Sequence, residues 1–558
     1  GDFSMGTPVQ SAFASDAFEL RMLGEIGCDV LTLGNHEFDY GTPGLDSMLK
    51  AAVSSGDRLP AIVESSISFE GELSEDQKLL KKNYDSGLIQ RAISLKVNGL
   101  NVTIFGLMGE DAVECAPDSG QIWRSAKETA KLMVEEYGDS SDLLICLSHS
   151  GTMGDGSEGE DAELAKAVPG IDVIISGHTH SFLMEPAQVN GSIIASCGEY
   201  ISHLGVIDLI VAEDGSVSLA NYELVPCDES VEEDPAIAEK AVAVKAKIDE
   251  DYLSKYGYTY DEPLAYSNFD FISLEEMKAT HQEYNIGNLI ADSYIFTAKN
   301  NGIEDIDVAI VSLGTIRSSI LEGPLTAADA FQICSLGMGE DGSAGHALVS
   351  AYLSGRELKL LVEIDATLGE IKEYVRMSYS GLHCRFNTKR IPMDRVTSVG
   401  LDRGGGIVEL LEDEMLYKVC CNMYAVSMLG MVNNLSKGIL TIEPKFEDGT
   451  PVDDFKACRI KTPEGQEIKE WTALAGYMAS FMRGESGLPE IPELYSSAAD
   501  RKVKYEEGGL AVISSPGPVA QIVIALGVFG VTLVVIIIFI VRRLLRRASE
   551  KRRAGMRE

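Results

Sequence analysis

Basic residues are in short supply in this 558-residue chain, which has 47 Lys and Arg against 86 Asp and Glu and a formal net charge of −39. An acidic surface repels a phosphate polymer, so this charge argues against nucleic acid as a partner. We find no internal repeat. The length predicts two or more domains, each with enough residues to bury a core.

Cysteine lacks the paired spacing of a redox or metal motif, since ten residues are scattered without any CxxC. An even count permits disulfides in an external protein. Because Cys146, Cys197 and Cys420 lie in apolar runs typical of strands, we interpret most of the cysteines as small core residues.

Histidine is scarce as well, and four of the eight residues lie in three short motifs. His36 lies in GNHEFDYG at 34–41, His149 in SHSG at 148–151, and the other two in GHTH at 177–180. Each motif follows an apolar run of strand length. Imidazole and carboxylate groups at the ends of neighbouring strands can hold two divalent cations. The pattern predicts metal-dependent hydrolysis of phosphate esters.

Residues 1–225 alternate strand-like and helix-like segments, which predicts a layered α/β architecture with ligands at the carboxyl ends of strands. A charged, Ala-rich stretch at 231–256 predicts a connecting helix, and a second α/β unit follows it. The predicted strands are 30–33, 102–107, 143–147, 171–175 and 306–313, and the predicted helices are 126–136, 162–167, 285–299 and 358–368.

Residues 519–541 contain no charged side chain, and only Gln521 and Thr532 are polar. About 20 such residues cross the hydrocarbon core as a helix, so a membrane span is predicted here. The last 17 residues contain eight Lys or Arg and two Glu, and this tail should stay in the cytoplasm. The sequence therefore predicts a single-pass protein of the cell membrane, with its acidic domains outside the cell and its C-terminus inside.

Taken in order, Gly1-Asp2 with Gly6-Thr7-Pro8 and the three histidine motifs resemble the calcineurin-like metallophosphoesterases. The chain is more similar still to the bacterial and animal 5'-nucleotidase family, which includes the UDP-sugar hydrolases. The segment EYNIGNLIAD at 283–292 resembles the opening helix motif of that family's C-terminal domain. The resemblance covers about 1–490 and implies a four-layer α/β/β/α metallophosphoesterase domain followed by an α/β recognition domain.

The predicted organisation combines this resemblance with the composition of the C-terminal region. It comprises a metallophosphoesterase domain at 1–228, a linker helix at 229–262, a 5'-nucleotidase C-terminal substrate-recognition domain at 263–490, a stalk at 491–518, one transmembrane helix at 519–541 and a basic cytoplasmic tail at 542–558.

The resemblance implies a site for two divalent ions, such as Zn, Mn or Co. Asp2 would bridge both ions, Asn35, His149 and His178 would complete one site, and His180 would contribute to the other. His36 would contact the phosphate and be oriented by Asp39. The other four histidines, His203, His281, His346 and His383, match no ligand position and are expected to be core or turn residues.

The family also carries a D-x-H motif upstream of the Gly-Asp block, and this chain begins at that block. The second metal is therefore expected to lack an Asp and a His in the chain as given. We expect the chain as given to bind fewer than two metals and to be poorly active, and an upstream D-x-H segment to restore both.

In the recognition domain, the resemblance implies Asn285, Arg317 and Tyr424 as substrate-binding residues. Several neighbouring positions depart from the family pattern: Gln282 replaces an Arg, Ser312 an Asn, Leu336 a clamping Phe, and Met428–Met431 a GGDG segment. Loss of one of the aromatic rings that stack on the base weakens the free energy of nucleotide binding by roughly 1–3 kcal/mol. The reaction is thus better supported than the substrate.

We therefore expect a 5'-nucleotidase-type hydrolase that releases phosphate from extracellular nucleotides. Two alternatives remain open. One is a UDP-sugar or 2',3'-cyclic nucleotide hydrolase of the same family, and the other is a catalytically weak surface binding protein on a degenerate nucleotidase scaffold.

Overall fold

The computed structural model describes residues 1–403, 407–435, 441–512, 517 and 521. The chain forms two compact units. The first consists of Gly1–Glu262 and Thr326–Gly345, and the second of Pro263–Leu325 and the described residues from His346 onward. The first unit is therefore discontinuous in sequence.

The first unit contains two main sheets. The larger has six strands, which lie in the spatial order Ala187–Val189, Ser192–Ala195, Val173–Ser176, Leu143–His149, Leu100–Met108 and Ala92–Val97. Its four inner strands are parallel and its two edge strands are antiparallel to their neighbours. The smaller sheet is parallel and consists of Val30–Thr32, Ala61–Val63 and Ile89–Gln90. Two antiparallel pairs complete the strands: Ile67–Ser68 with Ile122–Trp123, and His203–Val211 with Val217–Pro226.

The two main sheets approach each other closely at Gly106. A Cβ atom built on Gly106 would lie 2.2 Å from the carbonyl oxygen of Val63 and 2.3 Å from Oγ1 of Thr32. Only glycine fits this position, because the backbones of the two sheets leave no room for a side chain. Gly106 lies in the strand next to the one that carries His149, so this contact helps to place the site.

Helices cover the sheets of the first unit, and several begin at residues with capping side chains. Ser74 and Gln77 form a reciprocal capping box, and Asp234 accepts the backbone N–H groups of Ala236 and Ile237. The α-helices are Phe13–Asp16, Phe18–Glu25, Gly41–Ser55, Glu75–Asp85, Glu110–Glu114, Ala126–Tyr137, Glu160–Ala167, Pro235–Asp251 and Ala327–Ile333. The 3-10 helices are Pro8–Ala12, His36–Phe38, Pro117–Ser119, Gly138–Ser140 and Leu253–Tyr256.

The second unit contains two four-stranded sheets. The first has the order Leu348–Ser354, Leu416–Asn422, Val308–Ser312 and Met377–Ser380, and the second Val408–Leu410, Val396–Asp402, Leu382–Asn387 and Lys502–Tyr505. Pro263–Ser267 pairs with Gly323–Thr326. The α-helices are Leu274–Ala279, Asn285–Asn300, Gly355–Leu368, Met423–Leu435 and Glu470–Ala479. The 3-10 helices are Leu313–Thr315, Glu373–Val375, Phe455–Cys458, Glu493–Tyr495 and Gly509–Val512.

The stalk predicted at 491–518 is wrong for its first half. Ile491 and Tyr495 are buried, and Lys502–Tyr505 pairs in parallel with Leu382–Asn387. The alternation Lys-Val-Lys-Tyr explains this strand, because both lysines lie on one face and neutralise carboxylates there. Lys502 lies 3.2 Å from Asp365, and Lys504 lies 2.8 Å from Glu370. This segment is therefore part of the second unit.

The predicted transmembrane helix at 519–541 and the tail at 542–558 lie outside the described residues, apart from Gln521. Within the described ranges, no helix is long and apolar enough to cross a membrane. Five of the ten cysteines are buried: Cys146, Cys334, Cys384, Cys420 and Cys458.

Candidate metal centre

The three histidine motifs lie at the carboxyl ends of strands in the first unit, as the sequence predicts. His149 is the last residue of Leu143–His149, and His178 follows the neighbouring strand Val173–Ser176. Asn35 follows Val30–Thr32 of the smaller sheet. The ends of both sheets thus contribute side chains to one place.

Four of the five predicted metal ligands lie together there. One donor atom each from Asp2, His149 and His178 lies within 4.8 Å of the other two. Nε2 of His149 lies 2.8 Å from Oδ2 of Asp2 and 3.1 Å from Oδ1 of Asn35. These nitrogen and oxygen donors are the ligand types of a divalent transition-metal site.

Burial of His149, and the histidines beside Asp2, keep this cluster in the protonation states that bind metal. His149 is 2% exposed, and burial lowers its pKa to about 4, so its imidazole is neutral at neutral pH. Burial opposes ionisation of Asp2, but His149 and His36 hold the pKa of its carboxyl well below the usual range. A carboxylate beside a neutral imidazole therefore faces the site, and the donor set fits a bound cation.

The fifth predicted ligand, His180, is directed elsewhere. Its Nδ1 atom contacts the carboxylate of Glu199, and its ring packs 5.7 Å from that of Tyr200. Among the described residues, no group of potential metal ligands includes His180. The sequence resemblance could not reveal this contact, because Glu199 lies outside the quoted motifs.

His36 and Asp39 lie beside the cluster. Nδ1 of His36 lies 2.9 Å from Oδ2 of Asp39, and the backbone N–H of His36 donates to Oδ1 of Asp2 over 2.9 Å. The carboxylate orients the imidazole, while the backbone contact fixes the distance between His36 and Asp2. This geometry suits a residue that acts on a bound ester without coordinating the metal.

Glu37 holds the two motif loops together, a role that sequence reasoning missed. This fully buried carboxylate accepts backbone N–H groups of Asp2, Phe3 and Gly34 over 2.6–2.9 Å. Burial, and then the charge of Asp2, raise the pKa of Glu37. The one signal in the sequence was that a glutamate lies inside the GNHEFDYG motif, between residues assigned to the site.

The backbone at this site is strained. Asp2, His178 and His180 adopt φ values of 61°, 77° and 58°. Residues other than glycine uncommonly occupy this left-handed region, Asp and His do so more often than most, and such backbone strain clusters at active sites. The strain therefore supports a functional role for these motif residues.

A further buried carboxylate supports the strand that carries His149. Asp161 accepts a hydrogen bond from Ser148 over 2.5 Å, and burial raises the pKa of Asp161 to about 6. Asp161 lies in the helix Glu160–Ala167, outside every motif that the sequence analysis singled out. Its place behind Ser148 depends on tertiary packing, which explains why sequence reasoning missed it.

The predicted substrate-binding residues lie in the second unit. Asn285 is 8% exposed, and its amide donates to the carbonyl of Tyr495 over 3.0 Å while accepting from two backbone N–H groups. These bonds give it a structural role at the start of Asn285–Asn300. Arg317 and Tyr424 are half-buried.

The loop at 312–317 is shaped by packing around Gly314. A Cβ atom built there would lie 3.2 Å from the hydroxyl of Tyr424 and 3.2 Å from Tyr374. Ser312, which replaces the expected Asn, donates to the carbonyl of Tyr374 over 2.7 Å. The structure thus brings Tyr424 close to the loop that carries Arg317.

The other histidines behave largely as expected. His281 is buried and bonds both Asp365 and Glu370, at 2.9 and 2.7 Å. Burial and then Lys469 lower the pKa of His346 to about 4. His203 packs against Phe182, and His383 lies 3.3 Å from Asp402.

Comparison with known families agrees with this geometry. Residues 1–182 match the calcineurin-like phosphoesterase family, and residues 263–433 match the 5'-nucleotidase C-terminal domain. The first range contains all five predicted metal ligands with His36 and Asp39, and the second contains the predicted substrate-binding residues.

Two curated relatives and one solved structure illustrate the similarity. The chain is 28% identical over 431 residues to the trifunctional nucleotide phosphoesterase protein YfkN of Bacillus subtilis, a match that spans 73% of this chain and 28% of that protein. It is 26% identical over 396 residues to an apyrase of Aedes albopictus, a match that spans 66% of this chain and 62% of that protein. The chain thus spans less than two thirds of the length of either relative.

The crystal structure of a 5'-nucleotidase precursor from Thermus thermophilus has the same fold, with a TM-score of 0.63 and 20% identity over 90% of this chain and 88% of that one. Sequence match and fold therefore agree over both units. The chain belongs to the 5'-nucleotidase family of hydrolases, with a calcineurin-like phosphoesterase domain followed by a 5'-nucleotidase C-terminal domain.

Proposed function

We propose that this protein is a metal-dependent phosphoric ester hydrolase of the 5'-nucleotidase type, which releases phosphate from extracellular nucleotides. One observation carries the proposal: donor atoms of Asp2, Asn35, His149 and His178 converge on one place, with His36 beside them. The layer arrangement that we propose for the first domain is α/β/β/α, since its two sheets meet at Gly106.

Divalent cations bound at this site would neutralise phosphate oxygens and acidify water, which is the chemistry that ester hydrolysis requires. The residues of the chain supply the rest. Asp39 holds Nδ1 of His36, so Nε2 is the ring atom that would meet the phosphate or protonate the departing alkoxide. Asp2 fixes the backbone of His36 and so couples the position of this acid to the metal cluster.

A second cation belongs to the proposal as well, and Asp2 and His180 would contribute to holding it. Two ions about 3.5–4 Å apart clamp both the attacking and the departing oxygen in enzymes of this chemical class. His180 would have to exchange its contact with Glu199 for this ion. Zn, Mn and Co all suit the imidazole and carboxylate donors.

Nucleotides are the proposed substrates because the curated relatives include a nucleotide phosphoesterase and an apyrase. UDP-sugars and 2',3'-cyclic nucleotides are the alternatives within the same chemistry. The test measures product release from a panel of esters, each with Mn²⁺, Zn²⁺ or Co²⁺: inorganic phosphate from nucleoside monophosphates, diphosphates, triphosphates and p-nitrophenyl phosphate, sugar 1-phosphate from UDP-sugars, and nucleoside monophosphate from 2',3'-cyclic nucleotides. Release no faster than that of His178→Ala on every ester would refute the proposal.

A second candidate function is a surface protein that binds a ligand and catalyses little. The observation in its favour is that Asn285 and Ser312 are both engaged in internal hydrogen bonds. Calorimetric titration with the same panel separates the two functions. Tight nucleotide binding without phosphate release would support this candidate.

For its location, we propose that residues 519–541 hold the protein in the cell membrane, with the catalytic units outside and residues 542–558 inside. The support is the uncharged run and the arginine-rich segment that follows it. Protease added to intact cells should release the catalytic units. Cleavage of the tail while these units stay protected would contradict this topology.

A further inference from the structure

A second group of potential ligands adjoins the proposed catalytic cluster. Donor atoms of Asp111, Cys115 and His178 all lie within 4.8 Å of one another. Oδ2 of Asp111 lies 3.1 Å from Nε2 of His178. His178 is therefore common to this group and to the group formed with Asp2 and His149.

The short helix Glu110–Glu114 places two of these ligands. Asp111 and Cys115 are four residues apart, so they lie on the same helical face, and Cys115 keeps helical backbone angles at the end of the helix. The carboxylate of Glu160 accepts the backbone N–H groups of Glu110 and Asp111 over 2.8 and 3.0 Å. The start of the helix is thus anchored, and Asp111 is directed at His178.

The donor types define the metal. A thiolate, an imidazole and a carboxylate with one position left for water suit a tetrahedral ion of the zinc group, and the thiolate favours Zn²⁺ or Cd²⁺ over Mn²⁺ or Mg²⁺. Ligand atoms around such an ion are about 3.3–3.8 Å apart, given bonds of about 2.0–2.3 Å. The three donor atoms, which lie within 4.8 Å of one another, would have to approach by up to about 1–1.5 Å to reach that spacing. Cys115 is exposed, so an ion can reach it from solvent.

We propose that Asp111, Cys115 and His178 form an inhibitory site for Cd²⁺, and for Zn²⁺ added beyond what the catalytic cluster binds. The inhibition rests on the proposed function, because it requires His178 to hold the catalytic cation. A neutral imidazole offers a lone pair on only one nitrogen. When His178 binds the ion at Asp111 and Cys115, it is withdrawn from Asp2 and His149, and phosphate release stops.

Spectroscopy tests the site independently of catalysis. Cd²⁺ added to the full chain should produce a thiolate-to-metal absorption band in the ultraviolet. Cys115→Ser should remove this band and weaken Cd²⁺ binding by at least about tenfold, because a lost direct ligand costs no less than a lost supporting residue. Cys227→Ser is the matched control, since Cys227 is also exposed but lies outside both ligand groups. A band that survives in Cys115→Ser would overturn the proposal.

Kinetics test the competition for His178. With Mn²⁺ supporting phosphate release, Zn²⁺ or Cd²⁺ should inhibit the protein, and Cys115→Ser should require at least about tenfold more inhibitor while keeping its rate without inhibitor. Equal inhibition of both proteins would overturn the inhibitory role. If no ester is hydrolysed under any condition, the proposed function fails, while the absorption band still decides whether the metal site exists.

Discussion

Nδ1 of His36 lies 2.9 Å from Oδ2 of Asp39, and this contact separates the imidazole of His36 from the metal-ligand cluster. Four neighbouring side chains converge on a cation position, whereas His36 is held by a carboxylate of its own and reaches the cluster through its backbone N–H. This arrangement predicts that coordination and proton handling belong to different side chains, which mutation can test.

Replacement of His36 should abolish turnover and spare the metal. We expect His36→Ala to lower phosphate release by about 10²–10⁴-fold, the typical contribution of a positioned acid, with metal content nearly unchanged. His178→Ala and Asn35→Ala should lose bound metal. Elemental analysis of the purified proteins checks this division, and equal metal loss in all three variants would contradict it.

Replacement of Asp39 should act through His36. Asp39→Asn keeps the shape of the side chain but removes the charge that orients the imidazole, so kcat should fall by roughly 10–100-fold with unchanged metal content. Steady-state kinetics provide the measurement. Asp155→Asn serves as a control because Asp155 lies on the surface, where its carboxylate accepts from the backbone N–H and the hydroxyl of Ser157. A similar loss in both variants would indicate a nonspecific effect.

The two lysines of the last strand should differ in their contribution to stability. Lys502 is buried against Asp365, whereas Lys504 pairs with Glu370 at a position 27% exposed. Lys502→Met removes the lysine partner of a buried carboxylate, which would keep its contacts with His281 and Tyr379, and should lower the free energy of unfolding by up to about 3–5 kcal/mol. Lys504→Met should cost about 0–1 kcal/mol. Urea unfolding compares the two, and equal costs would mean that this strand does not depend on the buried pair.

The same buried pair predicts loss of stability in acid. Burial opposes ionisation of Asp365, but Lys502 and His281 lower its pKa from 3.8 to about 2. Its contribution is therefore complete above the unfolded pKa of about 3.9 and is lost as the pH falls through 2; the shift amounts to about 2.5 kcal/mol. Unfolding of Asp365→Asn between pH 4 and 2 should show a weaker pH dependence than the wild-type protein. Identical profiles would exclude Asp365 as a source of acid sensitivity.

A side chain at Gly106 should force the two sheets apart. A Cβ atom there would meet the backbone oxygen of Val63 at 2.2 Å, so Gly106→Ala should cost about 1–3 kcal/mol. Gly138→Ala is the control, because its Cβ would find an ordinary contact at 3.6 Å. Thermal unfolding measures both changes, and a neutral Gly106→Ala would show that the sheets can separate freely.

The sequence predicted the local features of this protein well. The strand Leu143–His149 and the helix Asn285–Asn300 follow from hydrophobic pattern, and the histidine motifs lie at strand ends as expected. Each of these depends on neighbours in sequence. The roles of the individual site residues stay predictions until the variants above are measured.

Features that depend on distant partners escaped the sequence. By composition, the segment around Lys502–Tyr505 was predicted to be part of a stalk. In the structure, Asp365 and Glu370 pair with its two lysines. Glu199 lies against His180, and Glu37 bonds residues on two loops. A charged side chain is buried only where a partner distant in sequence pairs with it. From composition alone, a charged residue is predicted to be exposed.

The discontinuity of the first unit defines which parts of this protein can be exchanged between relatives. Gln10 donates to the carbonyl of Ser335 over 2.6 Å, and Tyr252 donates to that of Ala344 over 2.8 Å. A hybrid protein whose parents are joined at residue 262 alone would separate these donors from their acceptors. It would also place the buried Phe331 against residues of the other parent. A hybrid that folds must therefore take 326–345 from the same parent as 1–262. These two stretches form one exchangeable unit, although 63 residues of the other unit separate them in sequence.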